Sequence, residues 1–594
     1  MSSFTHTIPQ IYDDADTASV TETHTSSCLS HHHDSENDDP LSHFDLDLYD
    51  DDDIITKKED TCVDRKSIRT LPKLQKKQEK KKKMKDNKQQ LSKNVFQGQH
   101  KWLGGGIDPQ TGYIYGVPSH ASFILCIQPS TPTTSPRIAK IHLPEVCRHG
   151  HFKWLRCIMY QGYMYGIPAW STHGVLKVRL FESDPTLLNE DIKVSRQRVS
   201  ILPLPSSTRT DDTTTIRDDT TMDENHSHNL QQQEYCSNKE TTIPPLFVDR
   251  RNQPRTSPVD RTRWMWHGGQ IGIHTPTGHK AIYCPPSNAK RVLKICLQTD
   301  TVSEIGPIFQ QGQNKFYGGI VGNDGCIYGI CYTAQQILRI NPTTDEVKLI
   351  GPIFPYGGYK WHGGLKAHTG VIYAFPAHAT TVLCINTNPT KPCSTTNTTT
   401  TCTRTTTQVE STITSSTTSG VVKNETKDDE DGHHDDDDDD DWRVYTIPIH
   451  RGKDDTDSLD LRYKWLGGSY GANGDIFGMP SDANSILRID PVTDTATTFG
   501  HVAGKRNKFQ SGVLCPRDNS IYAVAADMDC VLRIKTDPNL PVVADTVCGG
   551  LGDVEDKFQG GFLAHDGKIY CIPENMPYVM VLTPGDEPQY EWIK

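Results

Sequence analysis

Residues 315–351 read KFYGGIVGNDGCIYGICYTAQQILRINPTTDEVKLIG. Four short apolar runs stand in this stretch: Phe316–Ile320, Ile327–Ile330, Ile337–Ile340 and Val347–Ile350. Asn323-Asp324-Gly325 separates the first two, and Asn341-Pro342-Thr343-Thr344-Asp345 the last two. Apolar runs of this length bounded by turn-forming residues predict four antiparallel strands joined by tight turns. Outward from this stretch the same order returns from Lys101, Lys360, Lys464, Lys508 and Lys557, and in weaker form from Lys153 and Met265. An aliphatic–aromatic pair marks the second strand of every copy: Ile114-Tyr115, Met164-Tyr165, Ile282-Tyr283, Ile327-Tyr328, Ile372-Tyr373, Ile476-Phe477, Ile521-Tyr522 and Ile569-Tyr570. Neighbouring copies start 44 to 52 residues apart, the length of a four-stranded propeller blade. The chain therefore reads as an all-β protein, a β-propeller of eight blades, or seven if the weak second copy is absorbed differently.

The rest of the sequence has another character. Hydrophobic residues make up only 35% of the chain, so part of it cannot bury enough apolar surface to offset ordering entropy. Residues 1–95 read as a disordered charged region: acidic from Asp34 to Asp60, then carrying thirteen Lys/Arg against two acids from Arg65 to Lys93. Residues 96–594 hold the propeller, interrupted by polar insertions at about 205–245 and 387–441, the second Thr-rich and ending in Asp435–Asp441. Ile68-Arg69-Thr70-Leu71 is a candidate extra edge strand. No apolar run of membrane-spanning length occurs, and Met1–Asp14 lacks the pattern of a secretory signal, so the expected location is intracellular, cytoplasmic or nuclear. The 17 cysteines then read as reduced thiols, and no CxxC pair suggests a structural metal.

The unit G-x-IYGIP-x-x-A-x-x-ILRIDP-x-T resembles blades of the streptogramin-lyase, NHL and YVTN group of propellers. The Gly-Gly pair is similar to that of kelch repeats but is displaced: there it ends the second strand, while Gly104-Gly105 lies in the first. No WD dipeptide closes the third strand. The resemblance implies a propeller fold. It implies no single activity, because such groups include lyases, lactonases and binding scaffolds.

Several residue sets are candidates for function. Lys101, Lys153, Lys315, Lys360, Lys464, Lys508 and Lys557 open the first strands and are expected to ring one end of the central channel, where they would attract an anion or acidic peptide. Their alternative is packing along a neighbouring aromatic with the ammonium on a carbonyl or acid of the next blade. His120, Asn288, His378, Asp482 and Asn575 occupy the loop after the second strand, varying within a constant frame of small residues, as a binding face built from repeats would. Asn and Asp there also serve as turn residues. His120, His378, Asp482 and Glu574 form a conceivable divalent-metal set, as in propeller lyases and lactonases, although no spacing motif singles them out; no cofactor is expected. A basic third-strand position (Lys177, Lys294, Arg339, Arg488, Arg533) reads as a partly buried blade contact. Lys73–Lys88 is a candidate import signal, or a weak non-specific nucleic-acid contact without aromatic stacking. The expected function is a monomeric scaffold that binds a protein or anionic partner on the channel-mouth face. The alternatives are a metal-dependent lyase or lactonase-like hydrolase, and a scaffold whose charged arms recruit partners.

Overall fold

The computed structural model describes residues 96–170, 174–180, 197–206, 263–309, 312–389, 443–453, 455–458 and 460–593. Expectations for residues 1–95, including Ile68–Leu71 and Lys73–Lys88, lie outside the described residues. So do those for the insertions at 205–245 and 387–441, apart from their first few residues.

The described chain is a β-propeller built from four-stranded antiparallel units, with one short helix, Glu145–Arg148. Residues 315–351 form the strands Phe316–Val321, Ile327–Cys331, Ile337–Asn341 and Glu346–Ile350, paired in that order. Six sheets have four strands. A seventh has eight, because the fourth strand from Lys360's copy (Val444–His450) pairs in parallel with the fourth strand from Lys464's copy (Thr495–Phe499) through Ile449↔Ala496 and His450↔Thr497. Divided at this join, the described strands make eight units in seven sheets; they are numbered here 1 to 8 in chain order. The 205–245 tract follows the fourth strand of unit 2 (Val199–Leu202), and the 387–441 tract separates the third and fourth strands of unit 5.

Each second strand is buried on both faces: Ile114, Tyr115, Ile327, Tyr328, Ile521 and Tyr522 are all inaccessible. That burial explains why these strands are continuous apolar runs rather than alternating ones. The tyrosine hydroxyls find carboxylates at turns. Tyr328, Tyr522 and Tyr570 bond Asp324, Asp518 and Asp566 of their own units (2.7, 2.6 and 2.7 Å). Tyr283 and Tyr373 reach Asp345 and Asp494 of the next unit, both at 2.8 Å. Of the basic third-strand residues, Lys177 and Lys294 cross to Asp300 and Asp345 of the next unit. Arg339, Arg488 and Arg533 pair within their own.

The two glycines of the Gly-Gly pair have different reasons. At the first, the strand bulges: pairing shifts between Trp361 and Gly364, and Gly363 takes φ +64° in front of open space. The second is steric. A Cβ on Gly468 would stand 2.3 Å from Phe375 of unit 5 and 2.4 Å from the Phe477 carbonyl oxygen.

Among the described residues the ring closes without strand exchange, since unit 8 owns its fourth strand, Gln589–Ile593. Phe96, Trp102, Leu125 and Ile127 pack against Phe562, Tyr570, Ile572 and Val581, and Phe96 N–H donates to the Pro577 carbonyl at 3.1 Å. Among the described residues no helix is long and apolar enough to cross a membrane, and the described cysteines are free thiols.

Candidate functional site

The seven lysines do not form an exposed cationic ring. All are at most 5% exposed, and each ammonium donates to main-chain carbonyls. Lys153 donates to Ala121 (3.0 Å), Lys315 to Ser287 and Ala289 (2.6 and 2.9 Å), Lys464 to Ala377 and Leu461 (3.2 and 3.0 Å), and Lys508 to Ala483 and Asp482 (3.0 and 3.1 Å). Lys360 donates to Pro355 and Gly357, Lys557 to Asp527, and Lys101 to Gly98. Most of these carbonyls belong to the preceding unit. In every copy, Met265 included, the backbone N–H of this residue also donates to the preceding unit's loop. The lysine is thus a clasp between units. Burial draws Lys101 and Lys153 down to about 8 and Lys464 to about 7, and pulls Lys508 and Lys557 in the same direction.

The residue just before the lysine varies in chemical type from unit to unit. In chain order these residues are His100, Phe152, Trp264, Asn314, Tyr359, Tyr463, Asn507 and Asp556. All but Tyr359 have left-handed backbone, with φ between +46° and +52°. The loop position of the preceding unit holds this conformation. Asn288 accepts the Asn314 N–H (2.7 Å), Asp482 that of Asn507 (2.8 Å), Asp527 that of Asp556 (2.8 Å), and Asn575 that of His100 (2.8 Å), the last across the ring closure. His120 and His378 make ring contacts instead, with Phe152 (4.4 Å) and Tyr463 (4.5 Å).

Together these residues build a mouth with two arcs. An unbroken series of ring contacts runs through units 1 to 6. It passes from His100 to Phe152 (5.5 Å), Trp264 (4.9 Å), His267 (5.6 Å), Tyr317 (4.5 Å), Tyr332 (5.2 Å), Tyr359 (4.6 Å, stacked) and Tyr463 (6.0 Å). The remaining arc is polar and acidic. Asn507 Nδ2 donates to Asp556 Oδ1 (2.8 Å), and Glu574 accepts from Gln559 (2.7 Å) and pairs with His100 Nδ1 (2.6 Å). Burial raises the Asp527 carboxyl to about 6, with the Glu555 charge adding to it. Burial lowers His100, but the bond to Glu574 and the charges of Glu574 and Asp556 outweigh it, and the net shift is upward.

Ligand atoms of His100, Asp556 and Glu574 lie within 4.8 Å of one another, the one metal-capable group among the described residues. It contains Glu574 but not His120, His378 or Asp482, so the metal set conceived from the sequence is not brought together. His100 and Asp556 escaped the sequence reading because it started each copy at the lysine, one residue too late.

Further along the first strands, the second residue after the lysine lines the channel: Leu103, Leu155, His267, Tyr317, His362, Leu466, Gln510 and Gln559. All are buried, and burial holds His362 near 3 and His267 well below the usual histidine value, with the Arg156 charge adding to both. A histidine held neutral in the fold but protonated below about pH 6.5 when unfolded supplies stability that is present above pH 6.5 and lost as pH falls. His267→Leu, which installs the residue of units 1, 2 and 6, is therefore expected to gain on the native chain by roughly 1 kcal/mol between pH 7 and 5.5. Denaturant unfolding of both chains at the two pH values measures this difference.

No protein-family model and no curated protein sequence matches the chain. Solved structures of similar fold include a streptogramin B lyase (TM-score 0.36, 10% identity, covering 84% of this chain and 96% of that one). A catalytically inactive virginiamycin B lyase from Staphylococcus aureus with quinupristin has TM-score 0.34 and 10% identity over 55% of this chain and 83% of that one. Apo AztD from Citrobacter koseri has TM-score 0.36 and 8% identity over 75% of this chain and 87% of that one.

Proposed function

We propose that the protein is an intracellular propeller scaffold that binds a protein partner at the channel mouth. In this reading the partner presents a lysine or arginine side chain to the mouth. The observation that carries the proposal is the aromatic series from His100 to Tyr463 closed by the arc of Asp482, Asp527, Asp556 and Glu574. Ring faces and carboxylates together are the chemistry that holds an organic cation. With the lysines turned to carbonyls, the anionic partner expected from the sequence loses its support.

The test is fluorescence anisotropy with labelled oligo-lysine and oligo-glutamate peptides on the full chain. The oligo-lysine peptide should bind more tightly. The double variant Asp482→Asn/Asp527→Asn should weaken it at least fivefold. Asparagine already makes the same N–H contact in units 3 and 8, so this variant keeps the clasp. Equal binding of both peptides, or no loss in the variant, overturns the reading. The variant also separates the mouth from Asp435–Asp441, which it leaves intact. A metal-dependent enzyme is the second reading, favoured by His100, Asp556 and Glu574, whose nitrogen and oxygen donors suit a divalent ion. Metal analysis of the purified chain with and without Glu574→Gln tests it.

A further inference from the structure

One first-strand position is occupied differently in a single unit. The third residue after the lysine is Gly104, Gly268, Gly318, Gly363, Gly467 and Gly560 in six units, Ser511 in unit 7, and Arg156 in unit 2. Arg156 keeps the left-handed backbone of the bulge, φ +63°, a conformation that disfavours any side chain with a Cβ. Its side chain lies across the inner strands of its neighbours. Cγ is 3.5 Å from where a Cβ on Gly104 would stand, and Cδ is 3.2 Å from the same point on Gly268. Around the ring, a Cβ on Gly318 or Gly363 would meet nothing within 4 Å, so there is free space beside the first strand at these two positions.

Two histidines share the level. His267 is 3% exposed, and neither ring nitrogen has a hydrogen-bond partner among the described residues. Buried polar atoms are rarely left so, because a buried donor without a partner has lost its bonds to water and gained none. His362 Nδ1 donates to the Leu466 carbonyl at 2.6 Å, which leaves its Nε2 as an acceptor. The Arg156 charge acts on both imidazoles. Two neutral imidazoles alone would suit a cation, but the guanidinium among them decides against one.

We propose that the channel at the level of Arg156 is a binding site for a small oxyanion, a carboxylate or phosphate group. The guanidinium fork would hold it through paired N–H donors, and a ring N–H of His267 would supply a further hydrogen bond. This site shares His267 with the aromatic series of the partner reading, but none of its residues is changed in the peptide test, so the two readings fail separately.

Arg156→Gly isolates the site, since it gives unit 2 the residue of six other units and releases the left-handed strain. Thermal unfolding of the full chain would be followed in inorganic phosphate and in succinate, each against chloride at matched ionic strength. The native chain is expected to gain about 3 °C in Tm in at least one of the two. Arg156→Gly should lose that gain, and His267→Leu should reduce it. A gain in phosphate alone assigns a phosphate ligand, and a gain in succinate alone a carboxylate. An equal gain in Arg156→Gly, or no gain in the native chain with either anion, overturns the proposal.

Discussion

Lys464→Glu is expected to destabilise the propeller by about 3–5 kcal/mol, a large share of the margin by which a domain is stable. The lysine is 5% exposed and its ammonium faces the Ala377 and Leu461 carbonyls. A carboxylate there would meet two acceptors and no donor, out of reach of water. Lys464→Met should stay within about 1 kcal/mol of the native chain. It gives up two hydrogen bonds and also removes a charge whose burial is unfavourable, and Met265 already stands at this position in unit 3. The pH dependence tells the two contributions apart. The ammonium titrates near 7 in the fold and near 10.5 when unfolded, so the native chain gains stability between those values and the methionine variant does not share the gain. Denaturant midpoints at pH 7 and 9 for all three chains check the order. One consequence is practical: replacing these lysines with glutamate tests folding, not partner binding.

The second large effect is expected at Gly468. Valine there would push against Phe375 at 2.3 Å and the Phe477 carbonyl at 2.4 Å, and both phenylalanines are fully buried. Neither the backbone oxygen nor a ring packed between two units can yield. A loss of more than about 3 kcal/mol should follow, read as failure to accumulate soluble protein or as a collapse of the denaturation midpoint. Gly363→Ala is the contrasting case. It enters open space and bears only the left-handed backbone, so about 1–2 kcal/mol is expected. Exchanging the order of these two effects would refute the division of labour within the Gly-Gly pair.

The architecture was legible because its signals are local and repeated. Each aliphatic–aromatic pair and each 44–52-residue interval repeats the same statement, so a weak motif gains force from recurrence. The site was legible only as a neighbourhood. Lys464 stands where the sequence put it, yet its partners Ala377 and Leu461 belong to another unit and to the incoming loop, and no pattern in the chain reports that closeness. His100, Tyr463 and Asp556 share a backbone state and a place around the mouth but no chemical type, so they look like variation. The Gly-Gly pair was half understood: close approach explains Gly468, while the bulge at Gly363 depends on a pairing shift visible only across two strands.

The parallel join of Val444–His450 to Thr495–Phe499 has a consequence for how the ring meets its surroundings. An outermost strand presents unsatisfied N–H and C=O groups, which invite edge-to-edge aggregation. In units 5 and 6 the two edges protect each other, and they do so where the 387–441 tract re-enters the fold, the place where a long excursion leaves a returning strand most open to mispairing. Among the described residues the other six units keep unshared outer edges. Among the described residues the rim therefore has one azimuth closed to strand addition by other chains and six outer edges that no other strand shares.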